Sequence, residues 1–339
     1  MSTTTPNTAP NVAIPDWVSH PKRSKQSQLI RSLLLLGMLI LPWFLGGYYI
    51  YIVSLVLVYT LSTLGMNVMV GWTGQIGLAV FGFFGLGAYA TSILNDKGLP
   101  WVVALVVVGL FATFIGFVDG FPAVRLFGFF LAIASLAFGD LIMRFIIETD
   151  EITGGGGGYP VKLLRFWGAN REIGLYYLCL LAIVLFMVLY GRVLERRLGR
   201  TLLAVNHIEI ATPSMGISPP KYKLIAFMTS GSIAAIAGAI FAQLLTYLNP
   251  DMFRTSLLIT MLVMLIVGGV GSLWGSFAGA LFVVLVQEWL QAFAVYQRIV
   301  FGISLMLCIG LLPGGLASLS ERLKTAFAKR SGRAEGASA

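Results

Sequence analysis

Charged and amide side chains inside otherwise apolar runs are the groups with which this chain could act. Asp140 and Arg144 stand one helical turn apart within Phe127 to Ile147, on one helix face and with the acid before the base. Ionisable groups in such a run are costly and turn toward a bundle interior or water. Two roles are open to the pair: mutual neutralisation that holds the fold, or contact with a substrate. Glu288, beside Gln287, raises the same question and also suits an interface. Asn67, Gln75 and Gln243 carry amides that need partners in a dry environment, so each either bonds a neighbouring helix or lines a path.

Other chemistries lack their residues. The glycine run Gly154 to Gly158 continues as Tyr159-Pro160-Val161-Lys162, without the Lys-Ser/Thr ending of a phosphate-cradling loop, so this chain is not expected to hydrolyse ATP. His20 and His207 are too far apart for metal-ligand spacing, and no metal is expected. The serines and threonines have no histidine within an apolar segment to activate them, which argues against a membrane hydrolase. Cys179 and Cys308 both fall in apolar segments, where a small hydrophobe fits better than a disulfide or redox role.

These groups must be positioned by a membrane fold. The 339 residues have a mean hydropathy of +0.88 and are only 11% charged, against about 25% for soluble domains. Hydrocarbon offers the backbone no hydrogen-bond partner, and runs of Leu, Val, Ile and Phe without alternating polar residues indicate helices rather than barrel strands. The expected fold is all-α, a polytopic transmembrane bundle. The net charge of +9 gathers at the ends of apolar runs, where it sets topology rather than binding nucleic acid. Lys22, Arg23, Lys25 and Arg31 precede or open the first run, and Arg322, Lys324, Lys329, Arg330 and Arg333 follow the last. Residues 1–28 read as a cytoplasmic disordered tail without a cleavable signal, 29–316 as the transmembrane domain and 317–339 as a basic cytoplasmic tail.

At about 20 residues per crossing, the runs number about ten: Leu29 to Leu45, Tyr48 to Val70, Ile76 to Leu94, Val102 to Val118, Phe127 to Ile147, Ile173 to Tyr190, Leu224 to Leu245, Leu257 to Val270, Ala278 to Phe293 and Ile299 to Leu312. With the N-terminus inside, six crossings bring the basic loop 191–223 to the cytoplasm and four more return the C-terminus there. The loop Glu148 to Glu172 is then external. Its five successive glycines suggest a flexible connection without regular structure, serving as a linker or a gate. Two segments are rich in glycine: Gly71, Gly74, Gly77, Gly82, Gly85 and Gly87, then Gly268, Gly269, Gly271, Gly275 and Gly279. Such stretches permit close helix packing or mark interrupted helices that border a substrate path.

The stretch Gly65-Met66-Asn67-Val68-Met69-Val70-Gly71-Trp72-Thr73-Gly74-Gln75-Ile76-Gly77-Leu78, continuing to Phe83-Phe84-Gly85-Leu86-Gly87-Ala88-Tyr89, resembles the signature of branched-chain amino acid ABC-importer permeases of the LivM type. Phe138-Gly139-Asp140, Thr153-Gly154-Gly155, Glu209-Ile210-Ala211 with Gly216, Tyr222-Lys223-Leu224 and Gly268-Gly269-Val270-Gly271-Ser272-Leu273-Trp274-Gly275 follow in family order, so the resemblance covers about Leu55 to Leu316.

The resemblance implies an ABC-importer permease fold in a bacterial inner membrane, with both termini cytoplasmic. It implies that Glu209, Ala211 and Gly216 couple to an ATP-binding subunit, because the cytoplasmic loop supplies a short helix to a groove there. A second homologous permease subunit, two nucleotide-binding subunits carrying ATP and Mg, and a periplasmic substrate-binding protein are the implied partners, besides membrane lipid. Asn67, Gly71, Thr73, Gln75 and Gly77, with Gly268, Gly269, Gly271 and Ser272, are the expected border of the substrate path. Two departures from the family pattern bear on this. Ala79-Val80-Phe81 stands where a Gly-His-Ala-like run is usual, making a lining position more apolar, and Thr212-Pro213 stands in the coupling stretch, where proline starts or kinks a helix. The expected function is import of branched-chain or other hydrophobic amino acids. A urea or short-amide permease on the same scaffold is the near alternative; an ion-coupled secondary transporter using Asp140 or Glu288 is the distant one.

Overall fold

Apolar helices account for most of the structure, a computed structural model that describes residues 37–126, 128–164, 170–207, 212, 214, 216–290, 302 and 316. The chain divides at Gly46 into two units. In the first, the 3-10 turn Leu41–Trp43 carries Pro42 in its opening turn, where the missing N–H costs no intrahelical bond.

The second unit carries α1 (Gly47–Asn67), continued by one π turn Val68–Trp72, then α2 (Val80–Asp96), α3 (Trp101–Ala123), α4 (Gly128–Glu148), the single turn α5 (Asp150–Thr153), α6 (Arg171–Glu195), α7 (Arg197–His207), α8 (Pro219–Leu244), α9 (Thr255–Gly268) and α10 (Leu273–Leu290). Among the described residues, six helical stretches are long and apolar enough to cross a membrane: α1 with its π turn, and most or all of α3, α4, α6, α8 and α10. The shorter α9 has 14 residues; at about 1.5 Å each it reaches only about 21 Å, short of a hydrocarbon core of about 30 Å. About half of the first expected span and nearly all of the tenth lie outside the described residues. The other eight each contain a helix.

The helix expected from Ile76 begins instead at Val80. Gly74 takes φ +66°, a left-handed conformation that ends the preceding helix, and the Leu78 N–H is drawn 2.8 Å to Ser135 Oγ on α4 rather than into a helical turn. The glycine run also differs from the expected irregular connection. Thr153 Oγ1 donates to Ile146 O at 2.5 Å and accepts from Gly155 N, Gly154 caps α5 at φ +73°, and Gly155–Gly157 form a 3-10 turn. The chain then enters β1 (Tyr159–Pro160), antiparallel to β2 (Tyr247–Leu248), with Tyr159 opposite Leu248 and Pro160 opposite Tyr247. Local hydrogen bonds here offset the entropy that five glycines lose.

The bundle closes around α8, which packs on α1, α2 and α3. Small residues let these backbones approach: a Cβ on Gly87 would collide with Ala235 O of α8, and one on Gly238 with Phe84 O of α2. One edge of α2 meets α4 in the same way, since a Cβ on Gly82 would lie 2.7 Å from Gly139 O. Above the α2–α8 crossing, Phe84, Phe241, Phe253, Tyr59 and Tyr89 pack ring on ring with centroids 5.1–6.3 Å apart. Three buried hydroxyls of α1 are satisfied locally: Ser54, Thr60 and Thr63 donate to carbonyls one turn earlier, at 2.7–2.8 Å. The outer surfaces of α3 and α4 expose Leu110, Phe114, Phe121, Phe129, Phe130 and Phe145, apolar faces suited to lipid or to another apolar surface.

Candidate functional site

The two glycine-rich segments, about two hundred positions apart in the chain, meet at Asn67. Its Nδ2 donates to Ser272 O at 3.0 Å and to Ser276 Oγ at 3.1 Å, while its Oδ1 accepts from Gly271 N at 2.7 Å. Both amide hydrogens and the carbonyl are thus used at a residue with no solvent exposure. Sequence dictates this locally. Gly269 at φ +112° and Gly271 at φ +85° break the chain between α9 and α10, which turns the Gly271 N–H out of any helix and leaves it for a side-chain acceptor. Gly71 lies against the same amide, and a Cβ there would collide with Asn67 Oδ1 and stand 2.7 Å from Gly271 N.

From this junction the chain runs through Thr73, whose hydroxyl donates to Met69 O at 2.7 Å, to Gln75, whose N–H reaches Met69 O at 3.2 Å. The Gln75 side chain is buried, and neither its Oε1 nor its Nε2 has a hydrogen-bond partner. An unpaired buried amide costs about 1–3 kcal/mol, so it marks a position where stability is given up. Gly77 lies beneath the Met69 thioether, whose tip would have to swing aside for a Cβ there. Replacing Gln75 by leucine is expected to leave the thermal unfolding midpoint equal or higher, since an orphaned amide is removed, while solute uptake falls roughly tenfold from a lost polar contact. Uptake at the wild-type rate in that variant would remove Gln75 from the path.

The structure places the other expected residues as follows. Gly268 is in a helix contact rather than beside open space: α9 and α10 run antiparallel, and Cβ atoms on Gly268 and Gly279 would collide with Gly275 O and Met264 O. Gly269 is buried in the break, while Ser272 is partly exposed and its Oγ accepts from Gly275 N at 3.1 Å. Asp140 and Arg144 are both exposed on the outer face of α4, and no salt bridge joins them. Glu288 accepts a hydrogen bond from Tyr48 Oη. Gln243 is fully buried, its Oε1 accepting from Leu164 N at 3.0 Å and its backbone O from Arg171 Nη2 at 2.8 Å. Gly216 is exposed with φ +75°, and Glu209, Ala211 and Pro213 lie outside the described residues. Among the described residues no group of three or more His, Cys, Asp or Glu is placed to hold a metal ion.

Sequence reasoning passed over three features. Helix α7 occupies the start of the basic loop, with Leu202 and Val205 buried against the bundle and Arg197 and Arg200 exposed. The spacing of Leu198, Leu202 and Val205 at i, i+4 and i+7 was the available signal. Asp119 is buried in α3, which no sequence pattern announced. Between α1, α6, α7 and α8 lies a cavity of about 170 Å³, lined by Leu64, Val68, Leu198, Leu202 and Ile225 and closed on one side by Trp72, whose ring centroid is 3.9 Å from that of Tyr190.

Two interrupted segments are thus locked together by a buried amide, and the amphipathic helix α7 contacts the first of them. Comparison with known proteins identifies the family. Residues 48–309 match the family model described as "Branched-chain amino acid transport system / permease component". The chain is 31% identical to the high-affinity branched-chain amino acid transport system permease protein LivM of Escherichia coli K12, over 89% of this chain and 79% of that protein. It is 24% identical to a probable branched-chain amino acid transport permease LivM of Methanocaldococcus jannaschii, over 78% and 84%. It is 25% identical to the autoinducer 2 import system permease LsrC of Escherichia coli O157:H7, over 77% and 76%. No solved structure matches the chain significantly. With its apolar helices, the match over most of its length shows that this chain is a membrane-embedded member of the branched-chain amino acid transport permease family.

Proposed function

We propose that the chain is one permease subunit of an ATP-driven importer for branched-chain or other hydrophobic amino acids. The observation that carries the reading is the Asn67 junction: two interrupted segments held edge to edge, with the unpaired Gln75 amide buried beside them. Broken helices at corresponding places in two halves of a transporter border its substrate. Asn67, Gly71, Thr73, Gln75, Gly77, Gly269, Gly271 and Ser272 would form that border, and the Gly268 contact would fix the hairpin that presents it. Favouring amino acids over urea or short amides are the names of the two LivM relatives. Family membership favours an ABC permease over an ion-coupled carrier.

In this reading about ten spans cross the inner membrane, both termini are cytoplasmic, and Glu209, Ala211 and Gly216 face a nucleotide-binding subunit. The fuel, ATP with Mg, is bound by two such subunits, and a second homologous permease and a periplasmic binding protein complete the machine. The test is reconstitution of the complete assembly in proteoliposomes, with ATP hydrolysis followed in the presence of leucine or of urea. Leucine is expected to stimulate hydrolysis and urea not, and the purified chain alone is expected to take up neither under any ion gradient. Urea stimulation without leucine stimulation would transfer the scaffold to the amide reading, and gradient-driven uptake by the chain alone would sink the ABC reading.

A further inference from the structure

The last carbonyls of a helix have no partner within it, and in a dry setting each needs a donor from elsewhere. At the end of the π turn after α1, the Gly71 carbonyl finds its donor on the loop helix α7: Asn206 Nδ2 lies 3.2 Å from Gly71 O. The next glycine that could move away from this contact cannot. Gly74, at φ +66°, sits under the Asn206 side chain so closely that a Cβ would collide with Oδ1, its distance to Cγ being 2.9 Å. Gly71 itself touches the other break, its carbonyl 3.9 Å from where a Cβ on Gly271 would be, and its own Cβ position contested by Asn67 and Gly271. One amide on α7 therefore holds the residue at which both interrupted segments meet. Helix α7 is in turn seated by Leu202 and Val205, which are buried, so it carries Asn206 as a rigid body rather than on a loose tether.

We infer that Asn206 is the positioning residue through which displacement of the cytoplasmic loop reaches the junction of the two breaks. The inference rests on the reading of the loop as the coupling element and adds the contact by which coupling would enter the membrane. Asn206 binds no solute and no nucleotide; it acts through the Gly71 carbonyl. A shift of α7 either drags that carbonyl, and with it the Asn67–Gly271 lock, or leaves it orphaned, and the cost of the second makes the first the easier course.

The experiment uses the complete reconstituted importer and reads leucine uptake and leucine-stimulated ATP hydrolysis in the same vesicles. Two variants are compared with wild type: Asn206→Ala, which removes the amide, and Asn206→Asp, which keeps its shape but offers no N–H to a carbonyl. Hydrolysis is expected to continue in both, while leucine moved per ATP falls roughly tenfold, the scale of one lost hydrogen bond. Asn206→Gln, which keeps the donor on a longer stem, is expected to recover part of the ratio. An unchanged ratio in both variants would overturn the inference. So would loss of the assembled complex in both, or a fall of uptake and hydrolysis in equal proportion, since either makes Asn206 a packing residue. Failure of the broader reading looks different: the wild-type assembly would then show no leucine-stimulated hydrolysis at all.

Discussion

Asn67→Leu is expected to unlock the two broken segments and to abolish transport together with much of the fold's stability. Leucine keeps the branched outline of asparagine, with methyls in place of the amide oxygen and nitrogen, but offers nothing to the Gly271 N–H, the Ser272 carbonyl or the Ser276 hydroxyl, all bonded to Asn67 at 2.7–3.1 Å. The Gly271 N–H, left unpaired in a dry interior, costs about 1–3 kcal/mol, and the Ser272 carbonyl, which keeps the Ser276 N–H at 3.3 Å, loses only one of its donors, so the loss should be about 2 kcal/mol or more. Asn67→Asp keeps the acceptor for Gly271 and loses both donors, so it should fall between wild type and leucine. The check is thermal unfolding of the detergent-solubilised protein, with the order wild type, Asp, Leu. Equal midpoints for all three would mean that the junction contributes nothing to holding the segments together.

Gly87→Val and Gly238→Val are expected to be as damaging for a different reason. Each glycine faces backbone of the opposite helix, Ala235 O for Gly87 and Phe84 O for Gly238, and backbone cannot swing aside as a side-chain tip can. Overpacking typically costs about 1–3 kcal/mol and here belongs at the upper end, because the two helices must separate along the crossing. Their separation would also disturb the Phe84, Phe241 and Phe253 ring cluster above it. Gly191→Ala in α6, with nothing within 4 Å of the added Cβ, is the control and should be neutral or stabilising. Monodisperse yield and unfolding midpoint in detergent would show the contrast; normal yields for the valine variants would mean that α2 and α8 can part without loss.

The helices were legible because hydrocarbon demands length and apolarity, and a ruler of these two properties finds them. Their ends were less so: α2 begins at Val80 rather than Ile76 because a hydroxyl on another helix, Ser135, competes for the Leu78 N–H, and no local pattern encodes a competitor 57 positions away. Glycine content pointed to Gly271 and Gly268 alike without distinguishing a segment break from a helix contact, since both need a missing side chain. Geometry separates them, with Gly271 in a left-handed turn and Gly268 pressed on Gly275. The orientation of Asp140 was illegible as well, because one Asp–Arg pair on an otherwise apolar helix does not tell whether its face turns toward the bundle or outward. Asn206 drew no notice since one asparagine in a basic loop looks like any other until its carbonyl partner is known.

The ribbon of β1 and β2 stitches the connection between α4 and α6 to the one between α8 and α9, with Val161 N adding a bond of 3.0 Å to Thr246 O. Helix α8, at 26 residues about 39 Å long, has that seam at its C-terminal end and the connection from α7 at its N-terminal end. Main-chain bonds of this kind resist being pulled apart far more than they resist a small rotation. If these parts tilt against one another, the seam is where they stay joined, and the gap opens at the opposite rim, the one that Asn206 holds.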